Sequence, residues 1–374
     1  MKLHTCGDAC PPNCPSQPSA KVWADPDARP LTVDMHCHVI VPAIEEMTSG
    51  CPEKTAELQE QALGMGGTSV EHNKRVMLPA AGRRLVDLDM RLADMESMGV
   101  DIQVISPSPS QYYYWADQEL ASKLVRLQNE SIAALCQQHP GRLCGLGNVA
   151  AQHAELAPRQ LEYAVRELGL KGVEISTQVA GRELADPSLQ PFWAKAEELG
   201  CVVFIHPFGT SLGSRIDQYY LANSIGQPLE TTIALSSLIF SGTLDRHPGL
   251  KLVAAHGGGY LPAYSGRSDH AWRVRPEASA PTLPPSGHLR NIWFDTLVYD
   301  PVSLRHLIER VGAGQVVAGT DYPFDMGDYQ LHRLVDSVEG LSDEEKAHIL
   351  GGNACHLLGL NIDQALQYRA VKKT

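Results

Sequence analysis

The segment Asp34-Met35-His36-Cys37-His38 sets two histidines two residues apart at the end of an apolar run. In a strand, alternate side chains share a face, so His36 and His38 would point together into one site. Two imidazoles held that way are good ligands for a divalent metal. Three further ligand-type residues stand in comparable places. His206 ends the run Cys-Val-Val-Phe-Ile and precedes Pro207, His256 follows Val-Ala-Ala and precedes three glycines, and Asp321 follows Val-Val-Ala-Gly-Thr. Each has a plain structural alternative. An H-x-H pair arises by chance, His206 could be a satisfied core histidine, His256 a glycine-turn residue bonded to backbone, and Asp321 a helix cap or turn. All five at the ends of apolar runs ask for one explanation, which is a shared site. Three imidazoles and one carboxylate suit zinc or a similar borderline ion, with one position left open for water.

Elements must bring those residues together. From Leu31 onward, eight near-continuous apolar runs alternate with helix-like stretches. The runs are 31–39, 101–108, 143–150, 172–179, 201–207, 251–258, 292–299 and 316–323. Such runs are expected of strands buried on both faces. Helical patterns lie between them at 84–98, 118–138, 155–168 and 189–199. Eight strands alternating with helices predict an α/β fold, a (β/α)8 TIM barrel, whose strand ends converge on one mouth. A doubly wound open sheet competes, but explains less well why the chemistry is spread over the first, fifth, sixth and eighth strands. Two segments break the repeat, 41–82 after the first strand and 263–289 after the sixth. Both are expected as insertions above the C-terminal face. The barrel is thus predicted over 31–362, between a Cys/Pro-rich arm (1–30) and a tail (363–374).

The arm carries Cys6, Cys10 and Cys14 at four-residue spacing. A metal or redox cluster there lacks a fourth ligand, and the alternative is a proline-rich arm with thiols of no special role. Nine cysteines without a secretory pattern suit reduced thiols in a cytoplasmic protein. Across 374 residues, 43% are apolar and 20% charged, and the formal net charge is −12. No basic run stands out, which argues against nucleic-acid or membrane-surface partners. No run of 18 apolar residues predicts a membrane span.

The stretches VDMHCHV, FIHPFG, AAHGGGYLPAYSGR, FDTLVYDP and GTDYPFDMG, in that order, resemble the amidohydrolase-2 family. Within it the chain looks most like the aminocarboxymuconate-semialdehyde decarboxylases, and the likeness runs from Val33 to Leu360. The resemblance implies one zinc ion on His36, His38, His206 and Asp321. It implies His256 as an unliganded acid/base beside the metal-bound water. Arg267 matches a carboxylate-binding arginine that reaches the neighbouring subunit's site, which implies a homodimer. Where those decarboxylases carry Trp after His-Pro, this chain has Phe208, which keeps an apolar wall but loses the indole N–H donor. A second substrate arginine falls among Arg75, Arg83 and Arg84, with Arg75 preferred. Lys171 precedes the fourth strand, where the lysine bridging two metals in other amidohydrolases would lie at its end, so one metal is expected. Asp295 and Glu174 could face the site or serve packing, and Tyr112-Tyr113-Tyr114-Trp115 could floor a pocket above the second strand.

The implied activity is metal-dependent, non-oxidative decarboxylation of an aminocarboxymuconate-semialdehyde-like ring-cleavage product or a related aromatic acid. A metal-dependent hydrolase or hydratase acting on a related carboxylated lactone or unsaturated acid is the alternative. A non-catalytic barrel with a structural metal is a third reading, one that predicts a saturated coordination sphere.

Overall fold

The computed structural model describes residues 29–371, so Cys6, Cys10 and Cys14 lie outside the described residues. Eight parallel strands carry the architecture: β1 (Val33–Val39), β2 (Ile102–Pro107), β3 (Leu143–Gly145), β4 (Gly172–Ile175), β7 (Val202–Ile205), β8 (Lys251–Ala254), β9 (Ile292–Asp295) and β10 (Val316–Val317). The two remaining strands, β5 (Gln178–Val179) and β6 (Arg182–Glu183), form an antiparallel hairpin beyond β4. Ladders join β1-β2-β3 and β4-β7-β8-β9-β10. The two arcs meet at both seams. On one side Gly147 N donates to Gly172 O and Glu174 N to Gly147 O, each at 2.9 Å. On the other, Met35 N donates to Ala318 O and His38 N to Tyr322 O, each at 2.8 Å. With no free edge left, the sheet closes as a (β/α)8 barrel.

The strands are shorter than their apolar runs. The run 172–179 is two elements: β4 ends at Ile175 and the hairpin begins at Gln178. Side chains alternate between two apolar layers. Val33, Met35, Val104, Leu146, Val202, Phe204, Val253 and Val317 fill the interior, floored by the helix Asn353–Leu358. Val203, Ile205, Leu252, Phe294 and Val316 pack outward against the helices, with Phe192, Trp193 and Leu235 among their neighbours.

The predicted helix 84–98 is broken. It ends at Arg84 and restarts at Leu88, where the Asp87 side chain caps Met90 N at 3.0 Å. The segment 41–82 is a helical excursion, including Pro42–Thr48, Pro52–Met65 and Gly67–His72. The expected second insertion, 263–289, takes in most of the helix Leu261–Val274, the repeat's own helix after β8, and the short helix Pro285–His288; its prolines, Pro276, Pro281, Pro284 and Pro285, all follow the first of these. The excursion that the pattern hid is 208–226, between β7 and the helix Gln227–Phe240. The chain's last described helix spans Ile362–Val371, where a tail was expected.

Candidate metal centre

β1 does not run straight into its histidines. Between Asp34 and Cys37 it advances three residues while β2 advances two, from Gln103 to Ile105. That bulge switches the inward-facing set. Val33 and Met35 face the interior before it; His36 and His38 face the site after it, His36 lying edge-on to Phe204 at 4.9 Å. Asp34 pins the bulge. Its carboxylate accepts from His36 N, Gln103 Nε2, Thr320 N and Thr320 Oγ1 at 2.6–3.2 Å. β1 is thereby tied to the turn that presents Asp321, whose own N–H donates to His36 O at 2.8 Å. At Gly319 an added Cβ would come within 2.8 Å of His36 Cβ, so only glycine lets the two strands approach this closely.

The donor atoms of His36, His38, His206 and Asp321 all lie within 4.8 Å of one another, and all four residues are buried. Asp321 Oδ1 is 3.4 Å from His36 Nε2 and 3.3 Å from His38 Nε2. Asp321 Oδ1, His36 Nε2, His38 Nε2 and both His206 nitrogens are buried without a hydrogen-bond partner. Leaving one buried polar atom unpaired costs about 1–3 kcal/mol, so four residues each turning such an atom to one point imply a cation among them. Second partners fix the β1 imidazoles. His36 Nδ1 donates to Asp295 Oδ2 at 2.7 Å, and His38 Nδ1 to Pro107 O at 3.2 Å. Both acceptors are oxygens without a proton, so Nδ1 is the donor and Nε2 is the nitrogen that each ring turns to the centre.

Electrostatics agree. Burial opposes charge on His36, yet Asp321 and Asp295 outweigh it and push the imidazole up to about 10. Burial, and then the charge of His36, hold His206 well below the usual imidazole range, neutral and fit to ligate. Burial works against ionised Asp321, but the histidines hold it well below the usual carboxylate range. Imidazoles and an ionised carboxylate held ready for a positive charge form a divalent-metal site.

His256 stands beside this cluster. Its Nε2 is 3.8 Å from Asp321 Oδ2, and its ring centroid is 5.3 Å from His36 and 5.2 Å from His206. It sits on a left-handed turn (φ 54°), followed by three glycines that also have positive φ. Side chains there would collide: a Cβ on Gly257 would meet Val298 at 2.4 Å, on Gly258 Phe294 at 2.5 Å, and on Gly259 Pro228 O at 2.0 Å. Asp295, left open by the sequence, is a positioning residue buried between two site histidines. It holds His36 and also accepts from His256 N and Gly257 N at 2.9 and 2.8 Å.

Two cavities open around the centre. One, about 730 Å³, is lined by Phe208, Tyr114, Trp115, Tyr220 and the insertion glutamates Glu53, Glu57 and Glu60, among others. The second, about 630 Å³, includes His256, Tyr260, Tyr299 and Met326 in its lining. Asn223 and Gln227 border both, and among the described residues neither lining includes Lys or Arg. The arginines sit elsewhere. Arg75 is 74% exposed and 3.5 Å from Glu71, and Arg83 pairs with Asp87 at the surface. Arg84 pairs with Asp94, which also accepts from Tyr322 OH. Arg267 is exposed on the helix Leu261–Val274. The aromatic run divides: Tyr114 and Trp115 line the larger cavity, while Tyr113 OH is bound to Glu45. Lys171 lies at the start of β4, away from the site, while Glu174 is buried within β4.

The family model described as Amidohydrolase matches residues 33–360, from the first ligand strand to beyond the last. The chain belongs to the amidohydrolase family. It is 35% identical over 350 residues to 2-amino-3-carboxymuconate-6-semialdehyde decarboxylase of Dictyostelium discoideum, covering 90% of this chain and 94% of that protein. Among solved structures it is similar to 5-carboxyvanillate decarboxylase from Sphingomonas paucimobilis. The TM-score is 0.78 at 26% identity, covering 89% of this chain and all of the other. The fold also matches a 5-carboxyvanillate decarboxylase from Novosphingobium aromaticivorans complexed with manganese, with a TM-score of 0.77, 22% identity, and 88% and 96% coverage.

Proposed function

We propose that the protein is a metal-dependent, non-oxidative decarboxylase, a carbon–carbon lyase. Its substrate is a carboxylated ring-cleavage semialdehyde of the aminocarboxymuconate kind or a related aromatic carboxylic acid. The observation that carries this reading is the set of unpaired donor atoms on His36, His38, His206 and Asp321, beside a cavity-lining His256 that is not one of them. The relatives' activities and the order of the matched stretches support it. Zinc is the proposed ion, since the three-imidazole, one-carboxylate donor set suits it.

A divalent ion held by these four residues supplies Lewis acidity toward a substrate oxygen and makes a nearby water more acidic. The chain's own residues do the rest. Loss of CO2 leaves an electron pair on carbon, and that carbon must gain one proton. His256 is placed to carry it, within reach of the cluster and open to the cavity. Phe208 walls the larger cavity and excludes water from an apolar part of the substrate. Among the described residues no Lys or Arg lines either cavity, and a guanidinium from a second copy of the chain would give a substrate carboxylate a partner. Exposed Arg267, near exposed Tyr264, fits a guanidinium offered to a second copy of the chain in a homodimer. Arg75 would reach substrate only by leaving Glu71 and swinging inward. Several of the described cysteines are buried with thiols pushed up by burial, which suits a reduced, cytoplasmic protein.

The test is a spectroscopic and CO2-release assay of zinc- and manganese-loaded protein with 2-amino-3-carboxymuconate semialdehyde. One CO2 per chromophore lost, dependent on metal, is expected. Turnover of a lactone or amide without CO2 would replace this reading with hydrolysis.

A further inference from the structure

Glu174 is a fully buried carboxylate whose two oxygens face different structures. Oε2 accepts from Ser106 Oγ at 2.5 Å and lies 3.7 Å from His38 Nδ1; Ser106 Oγ is itself 3.5 Å from that nitrogen. Oε1 accepts from Tyr112 OH at 2.5 Å. Among the described residues its one ion-pair partner is His38, with no Lys or Arg in reach. Glu174 faces the Nδ1 edge of His38, and Nε2 on the opposite edge of that ring is one of the unpaired atoms of the metal cluster.

The Tyr112 arm leads the other way. Its ring stacks on Tyr114 at 5.5 Å and meets Phe208 edge-on at 6.1 Å, and both of those line the larger cavity. Tyr114 is fixed in turn, its hydroxyl accepting from Ser176 N at 3.1 Å. One buried group thus touches the environment of a metal ligand and the wall on which a substrate would lie.

We infer that Glu174 is a positioning residue that couples the metal ligand His38 to the aromatic wall of the larger cavity. The inference rests on the metal-centre reading and is independent of which acid is decarboxylated. With the carboxylate held by Ser106 and Tyr112 together, His38 keeps its orientation only while the wall keeps its own. A ligand that shifts Tyr114 or Phe208 is therefore felt at the metal.

Three substitutions separate the arms. Metal affinity is read by competition of a chelating dye for zinc and manganese. The wall is read by near-ultraviolet circular dichroism of the stacked tyrosines and by KM. Glu174→Gln should weaken metal binding by about ten-fold or more, change the dichroism and raise KM. Ser106→Ala cuts the first arm directly, so metal affinity should fall most, with a smaller change in dichroism and KM passed on through Glu174. Tyr112→Phe cuts the second directly, so KM should rise more than kcat falls, with a smaller but measurable loss of metal affinity. Folded Glu174→Gln protein with wild-type affinity would overturn the coupling, as would single-arm variants that each leave the other arm's readout unchanged. If Glu174→Gln does not fold, the two single-arm variants decide. Failure of the decarboxylase reading would appear as absent CO2 release in the wild type, with the dye and dichroism results still scoring the coupling.

Discussion

The two sides of the barrel mouth are built differently. On the β1–β10 side every ligand is held from behind: Asp34 clamps the bulge and the Asp321 turn, Asp295 grips His36, and Pro107 O takes His38 Nδ1. On the β7–β8 side His206 has neither ring nitrogen bonded and is fixed by its backbone N–H, given to Ile175 O, and by ring contacts with His36 and His38. His256 is fixed through its backbone and three left-handed glycines, with Nδ1 unpaired. The bonded side is suited to hold an ion in one geometry. The less bonded side meets the cavities, where proton transfer and substrate exchange need groups without fixed partners.

The sharpest way to break this contrast is to remove one ligand from each side. His36→Ala should leave protein that retains no metal after dialysis and turns over at background. His206→Ala should still bind metal measurably, though weakly; equal losses, by elemental analysis, would erase the distinction. Asp295→Asn comes next, because an amide N–H facing His36 Nδ1 favours the wrong tautomer. Metal affinity should fall about 10–100-fold and kcat with it, while the fold persists by circular dichroism.

A stability effect follows on the other side. Gly259→Ala forces a Cβ to 2.0 Å from Pro228 O at φ 64°, and should cost about 2–4 kcal/mol in urea unfolding. Gly314→Ala, in open space at ordinary φ, is the control and should stay within about 0.5 kcal/mol. The smallest effect concerns the insertion. Burial works against ionised Glu45, but Lys54, Tyr113 and Gln111 outweigh it and hold the carboxyl below its usual range. A depressed folded value means the stabilisation is present above the unfolded value of about 4.3 and is lost as pH falls through the folded one. At 40% exposure it is worth less than about 1 kcal/mol. Hydrogen-exchange protection across residues 42–65, relative to the intrinsic rate at each pH, should fall below about pH 4.3, and Glu45→Gln should remove that pH step.

Much of this was legible in the sequence because barrel physics leaves a pattern. Strands buried on both faces must be apolar, and a histidine or aspartate ending such a run must have a reason to be there. His36, His38, His206, His256 and Asp321 were singled out that way; all but His256 meet in one cluster, and His256 stands beside it. The pattern runs out where a segment carries no periodicity, or where a side chain's direction is set by its neighbours. Segment 208–226 went unnoticed because it has no periodicity to interrupt. Arg75 was preferred for its place in the chain, and its side chain lies in solvent.

The sequence alone determined the eight-strand alternation and five candidate site residues at strand ends, which follow from residue type and local spacing, and the resemblance of its motifs pointed to the family and to four of the five as ligands. Only tertiary structure decided that β1 bulges to turn its histidines inward, and that Asp295 serves His36 and His256 together. It also decided that Glu174 touches both His38 and Tyr112. Those relations join residues 39 to 259 positions apart, and no local pattern encodes a contact at that separation; packing of the closed barrel does.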